Sequence, residues 1–166
     1  AMAVDHDGKG IYSTGLEHGD CMNLGNFTKK TPNLDFFQIH EHDSAEYGFE
    51  VRDPATGEIK WGKFTGRDTT RGLCAKIDPR YEGNQCWVMD DGIYTIDGEL
   101  INEKGPESID FAIWWDGDLI RELLDHEFDD EKAVGYPKIY KWDYENNKLV
   151  TILDPKGTLS NNWKKG

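Results

Sequence analysis

Three segments of the sequence, YGFEVRDPATGEIKWG (47–62), GIYTIDGELI (92–101) and KIYKWDYENNKLVTI (138–152), decide the fold because they resemble one another. Each alternates aromatic or β-branched residues with polar ones and contains a turn that opens at an aspartate, which is the pattern of a β-hairpin. Their first tyrosines, Tyr47, Tyr94 and Tyr140, are separated by 47 and 46 residues. Such a period, with about four short strands in each repeat, is typical of the blades of a β-propeller.

A second element recurs upstream of the hairpins. Residues 33–40 and 83–90 lie 50 positions apart, each after a polar loop that contains proline, and residues 111–115 read as a related strand. The chain therefore holds about three blades, and a propeller closes with at least four. We predict an all-β fold in which residues 1–166 form a partial propeller domain of a larger ring, with both ends truncated. A complete small β-sandwich is the alternative.

One segment departs from the strand pattern. Residues 118–126 (DLIRELLDH) carry apolar side chains at helical spacing and predict a short helix. The acidic residues that surround His126 are expected to form a solvated loop.

Composition and charge exclude several classes of protein. The 166 residues carry a formal net charge of -13, which disfavours binding to nucleic acid or anionic lipid. The apolar runs are much shorter than the roughly 20 residues of a membrane-spanning helix. Cys21, Cys74 and Cys86 lack the CxxC spacing of a metal or redox site, so we expect buried, unpaired thiols.

Clustered acidic residues near the N-terminus suggest a cation site. Asp5 and Asp7 precede a glycine, and a further acidic segment, EHGD (17–20), follows. Several oxygens directed to one point by a tight turn are what Ca²⁺ requires. The segment IHEHD (39–43) adds imidazoles and carboxylates at the end of a strand. A solvated acidic turn is the alternative interpretation.

Cationic and aromatic residues form further candidates. Arg67 and Arg71 lie in a loop bounded by glycines, where a guanidinium can bind a carboxylate through two hydrogen bonds, although a surface ion pair is the commoner arrangement. The segment NNWKK (161–165) would hold a sugar or form an unremarkable tail. Trp114 and Trp115 are expected in the core rather than in a sugar-stacking site. No GxSxG, HExxH or Walker motif is present.

Several strings together resemble the rhamnogalacturonan lyases of polysaccharide lyase family 11, in the same order from residue 1 to 166. They are DGKGIYSTGLEHGD (7–20), FQIHE (37–41), RDPATGEIKWG (52–62), TTRGLCAKIDPRY (69–81), IWWDGDLIRELLDH (113–126) and KWDYENN (141–147). The resemblance implies an eight-bladed, calcium-containing propeller that is secreted and cleaves the rhamnose–galacturonate backbone of pectin by β-elimination. This chain resembles a central portion of it.

The resemblance also implies roles for individual residues. His18, Asp20 and Glu41 match a calcium cluster, to which Asp5 and Asp7 are added as candidate ligands from the acidic loop. Three more matches carry the chemistry: Arg71 as a catalytic and substrate-binding arginine, Asn162 as a substrate-binding amide and Lys165 as the catalytic lysine. The glycine and threonine that the family has beside that lysine are replaced here, so that either Lys164 or Lys165 is the counterpart.

The predicted function is calcium-dependent cleavage of rhamnogalacturonan I, an acidic cell-wall polysaccharide. In this chemistry, removal of the C5 proton of galacturonate requires a cation or Arg71 to neutralise the adjacent carboxylate. One alternative is a calcium-stabilised carbohydrate-binding propeller without catalysis. Another is an inactive fragment of the lyase, whose open ring edges would pair with the missing blades or with a second copy.

Overall fold

The computed structural model describes residues 2–160, which contain β-strands and no helix. A hairpin, β1 (Met2–Val4) and β2 (Gly10–Ser13), precedes three four-stranded antiparallel sheets. The first sheet consists of β3 (Cys21–Gly25), β4 (Asp35–Ile39), β5 (Phe49–Arg52) and β6 (Ile59–Lys63). The second consists of β7 (Gly72–Ala75), β8 (Gln85–Val88), β9 (Ile93–Thr95) and β10 (Leu100–Asn102). The third consists of β11 (Phe111–Ile113), β12 (Glu122–Asp129), β13 (Val134–Asp143) and β14 (Lys148–Leu153).

The three predicted hairpins occupy the same place in each sheet. They join the third strand to the fourth, as β5–β6, β9–β10 and β13–β14. Asp53 begins the first turn and accepts the amide of Gly57 at 2.8 Å through its carbonyl oxygen. The upstream elements 33–40 and 83–90 contain β4 and β8, the second strands of their sheets. Residues 111–115 were matched wrongly, because β11 is a first strand and β12 is the counterpart of β4 and β8.

The second sheet is buried between the other two. Successive side chains of a strand point to opposite faces, so its strands contribute to two cores. Cys86 and Tyr94 pack with Phe37 and Phe49 of the first sheet. On the other face, Leu73, Trp87 and Ile93 pack with Leu123, Tyr140 and Trp142 of the third sheet. This arrangement explains why the residues of β7, β8 and β9 are all buried.

The first strands of the three sheets lie side by side. β7 contacts both β3 and β11. The thiol of Cys21 donates to the carbonyl oxygen of Gly72 at 3.2 Å, which joins the starts of β3 and β7. A side chain at position 72 would place its Cβ 2.5 Å from the carbonyl oxygen of Trp87, so that only glycine fits there. The residues that precede these strands are consequently brought to one end of the molecule.

The helix predicted over 118–126 is wrong. Residues 116–120 form an irregular loop in which the carboxylate of Asp118 accepts the amide of Ile120 at 2.6 Å. Strand β12 follows and contains His126, so the predicted loop around this histidine is wrong as well. The helical spacing predicts that Leu119 and Leu123 share one buried face. In the structure Leu119 is 81% exposed, whereas Leu123 is buried between sheets.

Two further expectations concern burial. Trp114 and Trp115 are 59% and 55% exposed, so their predicted place in the core is wrong. The cysteines are unpaired, and Cys74 and Cys86 are buried as expected, whereas Cys21 is only partly buried. Within residues 2–160, no helix is long and apolar enough to cross a membrane.

Candidate functional site

Three of the predicted metal ligands meet at one end of the first sheet. His18 and Asp20 lie in the loop before β3, and Glu41 follows β4. The Nε2 atom of His18 lies 2.9 Å from a carboxylate oxygen of Glu41 and 3.9 Å from one of Asp20. One ligating atom from each residue falls within 4.8 Å of the others. We call these three residues the triad. Its side chains are partly exposed, so a cation and a substrate would have access to them.

The backbone holds the triad together through a close approach at Gly19. A Cβ at this position would lie 1.8 Å from the carbonyl oxygen of Ile39, far inside van der Waals contact. Beside it, the amide of Glu41 donates to the carbonyl oxygen of His18 at 3.2 Å. The glycine in the HGD segment therefore lets the loop pack against the end of β4. This packing places His18 and Asp20 opposite Glu41.

A buried charged network lies beneath the triad, and sequence reasoning missed it. Glu50 is fully buried and Arg52 is 3% exposed, and the guanidinium of Arg52 donates to Glu50 and to the side-chain oxygen of Gln38. The imidazole Nε2 of His40, also fully buried, lies 3.5 Å from Glu50. Buried charges require such partners. Because His40 directly precedes Glu41, the network fixes the strand end that carries the triad.

Arg71 lies at the same end of the molecule as the triad. Its loop is attached to the first sheet by the amide of Thr69, which donates to the carbonyl oxygen of His40 at 3.2 Å. Thr70 adopts a φ of 54°, a left-handed conformation that is unusual for a β-branched residue. The side chain of Arg71 is 33% exposed and lies 3.8 Å from Asp110. Its Nε–H is buried and has no hydrogen-bond partner within residues 2–160.

The structure does not bring Asp5 and Asp7 to the triad. The carboxylate of Asp5 accepts the amides of Asp7 and Lys9, both at 2.9 Å, and so closes the β1–β2 turn. Strand β2 packs beside the β5–β6 turn, where Tyr12 donates to the carbonyl oxygen of Pro54 at 3.1 Å. That turn lies at the opposite end of the first sheet. The groups of ligating side chains within residues 2–160 do not include either aspartate. Asn162 and Lys165 lie outside the described residues.

Two other groups of ligating side chains were not predicted. The first contains Asp110, Asp125 and His126, and the second contains Asp116, Asp118 and Glu122. No short motif in the sequence indicates the first group, because the loop between β11 and β12 separates Asp110 from Asp125 and His126 along the chain. The pairing of β11 with β12 brings these residues together, because Phe111 lies opposite Leu124 and their neighbours Asp110 and Asp125 are therefore adjacent.

The second group already holds a cation, the ammonium of Lys141. Its Nζ lies 2.8 Å from Asp118 and 3.0 Å from the buried Glu122, and it also contacts Asp116. Burial opposes the charge, but the hydrogen bonds that Lys141 donates to the three carboxylates outweigh it and raise the pKa of Lys141. The hydrogen bond from Lys141 in turn lowers the pKa of Asp116. The carboxylates of this group are thus paired with a cation of the chain itself.

Comparisons with known proteins agree with the resemblance read from the sequence. The family model described as "Rhamnogalacturonan lyase family 11, C-terminal domain" matches residues 1–166. The rhamnogalacturonan exolyase YesX of Bacillus subtilis is 52% identical over 100% of this chain, and the endolyase YesW of the same species is 46% identical over 99%. The crystal structure of YesX superposes on 97% of the chain with a TM-score of 0.92 and 51% identity. A Bacillus licheniformis rhamnogalacturonan lyase gives a TM-score of 0.89 with 48% identity over 99% of the chain.

These relatives are much longer than this chain. It spans 28% of YesX, 25% of YesW and 26% of the Bacillus licheniformis structure. The match extends over the whole chain and includes the HGD and RG segments that carry the triad and Arg71. The chain belongs to the C-terminal domain family of the family 11 rhamnogalacturonan lyases.

Proposed function

We propose that this chain is the part of a rhamnogalacturonan lyase that supplies a cation-binding cluster and an arginine to the active site. The observation that carries the proposal is the convergence of His18, Asp20, Glu41 and Arg71 at one end of two adjacent sheets. The names of the relatives supply the reaction class. We further propose that the three sheets are three blades of a larger propeller, because their faces pack on one another and their first strands lie side by side.

The triad fits a divalent cation, and we propose Ca²⁺. Two carboxylates supply the hard oxygen ligands that Ca²⁺ prefers, and their partial exposure leaves room for water or substrate oxygens in a shell of six to eight. The imidazole is a donor that transition metals use more often than calcium does. When bound, a cation would supply positive charge for the galacturonate carboxylate and for the charge that develops during elimination. It would also offset the chain's negative charge where an acidic polymer binds.

Arg71 is the proposed ligand of the galacturonate carboxylate. Its side chain is partly exposed, and the planar guanidinium offers N–H donors in a geometry that matches a carboxylate. Neutralising the carboxylate acidifies the neighbouring C5 proton. A base then takes this proton, a C4–C5 double bond forms and the C4–oxygen bond breaks. We assign the base to Lys165, whose amine requires a lowered pKa for this role.

The substrate chemistry also supports a location outside the cell. Rhamnogalacturonan I is a cell-wall polymer, so an enzyme that cleaves the intact polymer meets it outside the cell. We therefore propose a secreted lyase whose partners are this acidic polysaccharide and the remaining blades of its own propeller.

Ultraviolet absorbance tests the proposal, because the new double bond is conjugated with the carboxylate. Full-length protein that carries Arg71→Ala is expected to lose at least a hundredfold in the rate of absorbance increase on rhamnogalacturonan I. Arg71→Lys, which keeps the charge but not the fork, should recover part of it. Lys104→Gln changes an exposed lysine, 78% accessible, and serves as the control of unchanged rate.

Two results would contradict the proposal. Wild-type rates in Arg71→Ala would remove Arg71 from the active site. Calcium-dependent binding of the polysaccharide by the unmodified full-length protein, without any absorbing product, would instead establish the non-catalytic carbohydrate-binding propeller.

A further inference from the structure

A second candidate site lies along the first strands of the three sheets, with its basic side chains at the end opposite the triad. A cavity of about 1140 Å³ is lined by residues of β3, β7 and β11 and by the loops that follow these strands. Arg71 precedes β7, whereas the cavity residue Lys76 follows it. Five residue steps along an extended chain separate the two positions by roughly 17 Å. The cavity exceeds the ~300–1,000 Å³ of small-molecule sites, so it has room for more than one sugar ring.

The charge of this cavity is opposite to that of the chain. Four basic residues line it, Lys29, Lys76, Arg80 and Arg121, against two acidic ones, Glu82 and Asp110. The chain as a whole has 19 basic and 32 acidic residues. Arg80 is neutralised by Asp78 at 2.7 Å, but within residues 2–160 no carboxylate lies within ion-pair distance of Lys29, Lys76 or Arg121. Three of the four basic residues that line the cavity therefore form no ion pair within residues 2–160.

Lys76 and Arg121 are held next to each other. The amide of Arg121 donates to the carbonyl oxygen of Lys76 at 2.7 Å. The ammonium of Lys76 donates to the carbonyl oxygen of Tyr81, and the guanidinium of Arg121 donates to that of Ala112. The Nε–H of Arg121 is buried and has no partner within residues 2–160. Burial lowers the pKa of both side chains and outweighs the opposing effect of nearby carboxylates, chiefly Asp78 for Lys76 and Glu122 for Arg121.

Trp114 provides an aromatic surface beside these cations. The guanidinium of Arg121 lies 4.4 Å from the centroid of its ring, which fixes the indole in place. The side chain is nevertheless 59% exposed, and the neighbouring Leu119 is 81% exposed. Apolar faces of pyranose rings pack against such indoles, while a carboxylate on the ring would reach the adjacent cations.

We propose that this cationic pocket binds an acidic sugar ring, with Lys76 and Arg121 contacting its carboxylate and Trp114 contacting the ring. The choice of a uronate rests on the proposed function. The preference for an anion rests only on the basic residues that line the cavity. The pocket would hold a part of the polymer distant from the bond that is cleaved. It would therefore contribute affinity and directional binding rather than chemistry.

Calorimetric titration of the full-length protein with D-galacturonate, in EDTA, tests the proposal. EDTA removes any cation from the triad, and Arg71→Ala removes the proposed galacturonate contact beside it, so binding by Arg71→Ala in EDTA reports on the pocket. Lys76→Gln and Arg121→Lys are each expected to weaken galacturonate binding at least tenfold. Lys104→Gln, which changes an exposed lysine paired with Glu107 at 3.8 Å, should leave it unchanged. Neutral D-galactose should bind at least tenfold more weakly, and added salt should weaken galacturonate binding.

The variants also separate this site from the proposed active site. Arg71→Ala should retain galacturonate binding in EDTA even where it abolishes lyase activity. Binding that is lost in Arg71→Ala but intact in Lys76→Gln and Arg121→Lys would overturn the pocket and favour the triad end. Absence of galacturonate binding, or equal binding of galactose, would also overturn it. Acetate that binds as tightly as galacturonate, with Trp114→Ala unchanged, would overturn the contact with the sugar ring. Thermal melts of Lys76→Gln and Arg121→Lys show whether each variant is folded. One folded variant is enough to test the contribution of the pocket to galacturonate binding.

Discussion

Gly19→Ala is expected to abolish cation binding at the triad by separating its ligands. The added Cβ would meet the carbonyl oxygen of Ile39 at 1.8 Å, whereas real Cβ atoms essentially never approach within 3.0 Å. The loop must therefore move by at least the difference, 3.0 − 1.8 = 1.2 Å. A metal site tolerates ligand displacements of roughly 0.2 Å. Because His18 and Asp20 flank the glycine, both move away from Glu41.

Two effects of this substitution have to be separated. Steric overpacking alone is expected to lower the free energy of unfolding by about 1–3 kcal/mol, with or without a cation. Loss of the cation removes a further contribution, about 2.7 kcal/mol when Ca²⁺ is present at a hundred times its dissociation constant. For a chain of this size the second term corresponds to roughly 5–10 °C in Tm.

Thermal melts in EDTA and in millimolar Ca²⁺ measure both terms. The shift in EDTA gives the steric cost, and the calcium-induced increment gives cation binding. Gly10→Ala is the matched control, because a Cβ at Gly10 meets nothing within 4 Å and should leave both values unchanged. A calcium increment in Gly19→Ala equal to that of the wild type would refute the role of this close approach in holding the triad.

Other predictions concern burial and ionisation. Glu50→Ala leaves Arg52 buried without its carboxylate and should lower the free energy of unfolding by about 3–5 kcal/mol in urea titrations; a loss below about 1 kcal/mol would show that water reaches Arg52. Trp87→Ala should cost about 3–5 kcal/mol in the same assay, because the side chain is fully buried and donates to the carbonyl oxygen of Ser108 at 2.9 Å; a change within the range of surface substitutions would contradict that packing. Burial raises the pKa of Tyr140 to about 12, above its usual 10.0. The folded chain thus binds this proton more tightly than the unfolded chain does. The resulting contribution to stability is present in full below pH 10 and is lost as the pH rises through 12. The loss in the free energy of unfolding reaches about 3 kcal/mol and should be missing from Tyr140→Phe. An equal pH dependence of stability in the wild type and Tyr140→Phe would exclude this contribution.

The hairpins could be predicted from the sequence because turn chemistry is local. Asp53 and Asp143 each cap their own turns, Asp53 by accepting the amide of Ala55 at 2.7 Å and Asp143 by accepting that of Asn146 at 3.0 Å. Such contacts depend on residues two or three positions away, so the spacing of these aspartates and of their preceding tyrosines shows the repeat directly.

Residues 114–123 could not be predicted because tertiary contacts decide their structure. Leu119 and Leu123 have the spacing of a helix, yet Leu123 pairs with Tyr140 of β13 and packs against the second sheet. Aspartates in the preceding loop hold its backbone in turns that exclude a helix. Trp114 was expected in the core on residue type alone, but the loop carries it to the surface beside Arg121.

For the candidate site, short motifs identified the residues but not the structure around them. HGD and RG mark positions where glycine allows close approach, and they located His18, Asp20 and Arg71. The network of His40, Glu50 and Arg52 escaped notice because its members are brought together by the register of β4 and β5.

The joint role of the triad and Arg71 is best tested by a crystal structure of this chain with Ca²⁺ and a rhamnose–galacturonate disaccharide, with anomalous data for the ion. We expect an ion within about 2.3–2.6 Å of the carboxylates of Asp20 and Glu41, with His18 beside it. We also expect the guanidinium of Arg71 to contact the carboxylate of a galacturonate bound at the same end of the sheets. An ion-free triad, or a galacturonate bound at that end without contact to Arg71, would contradict it.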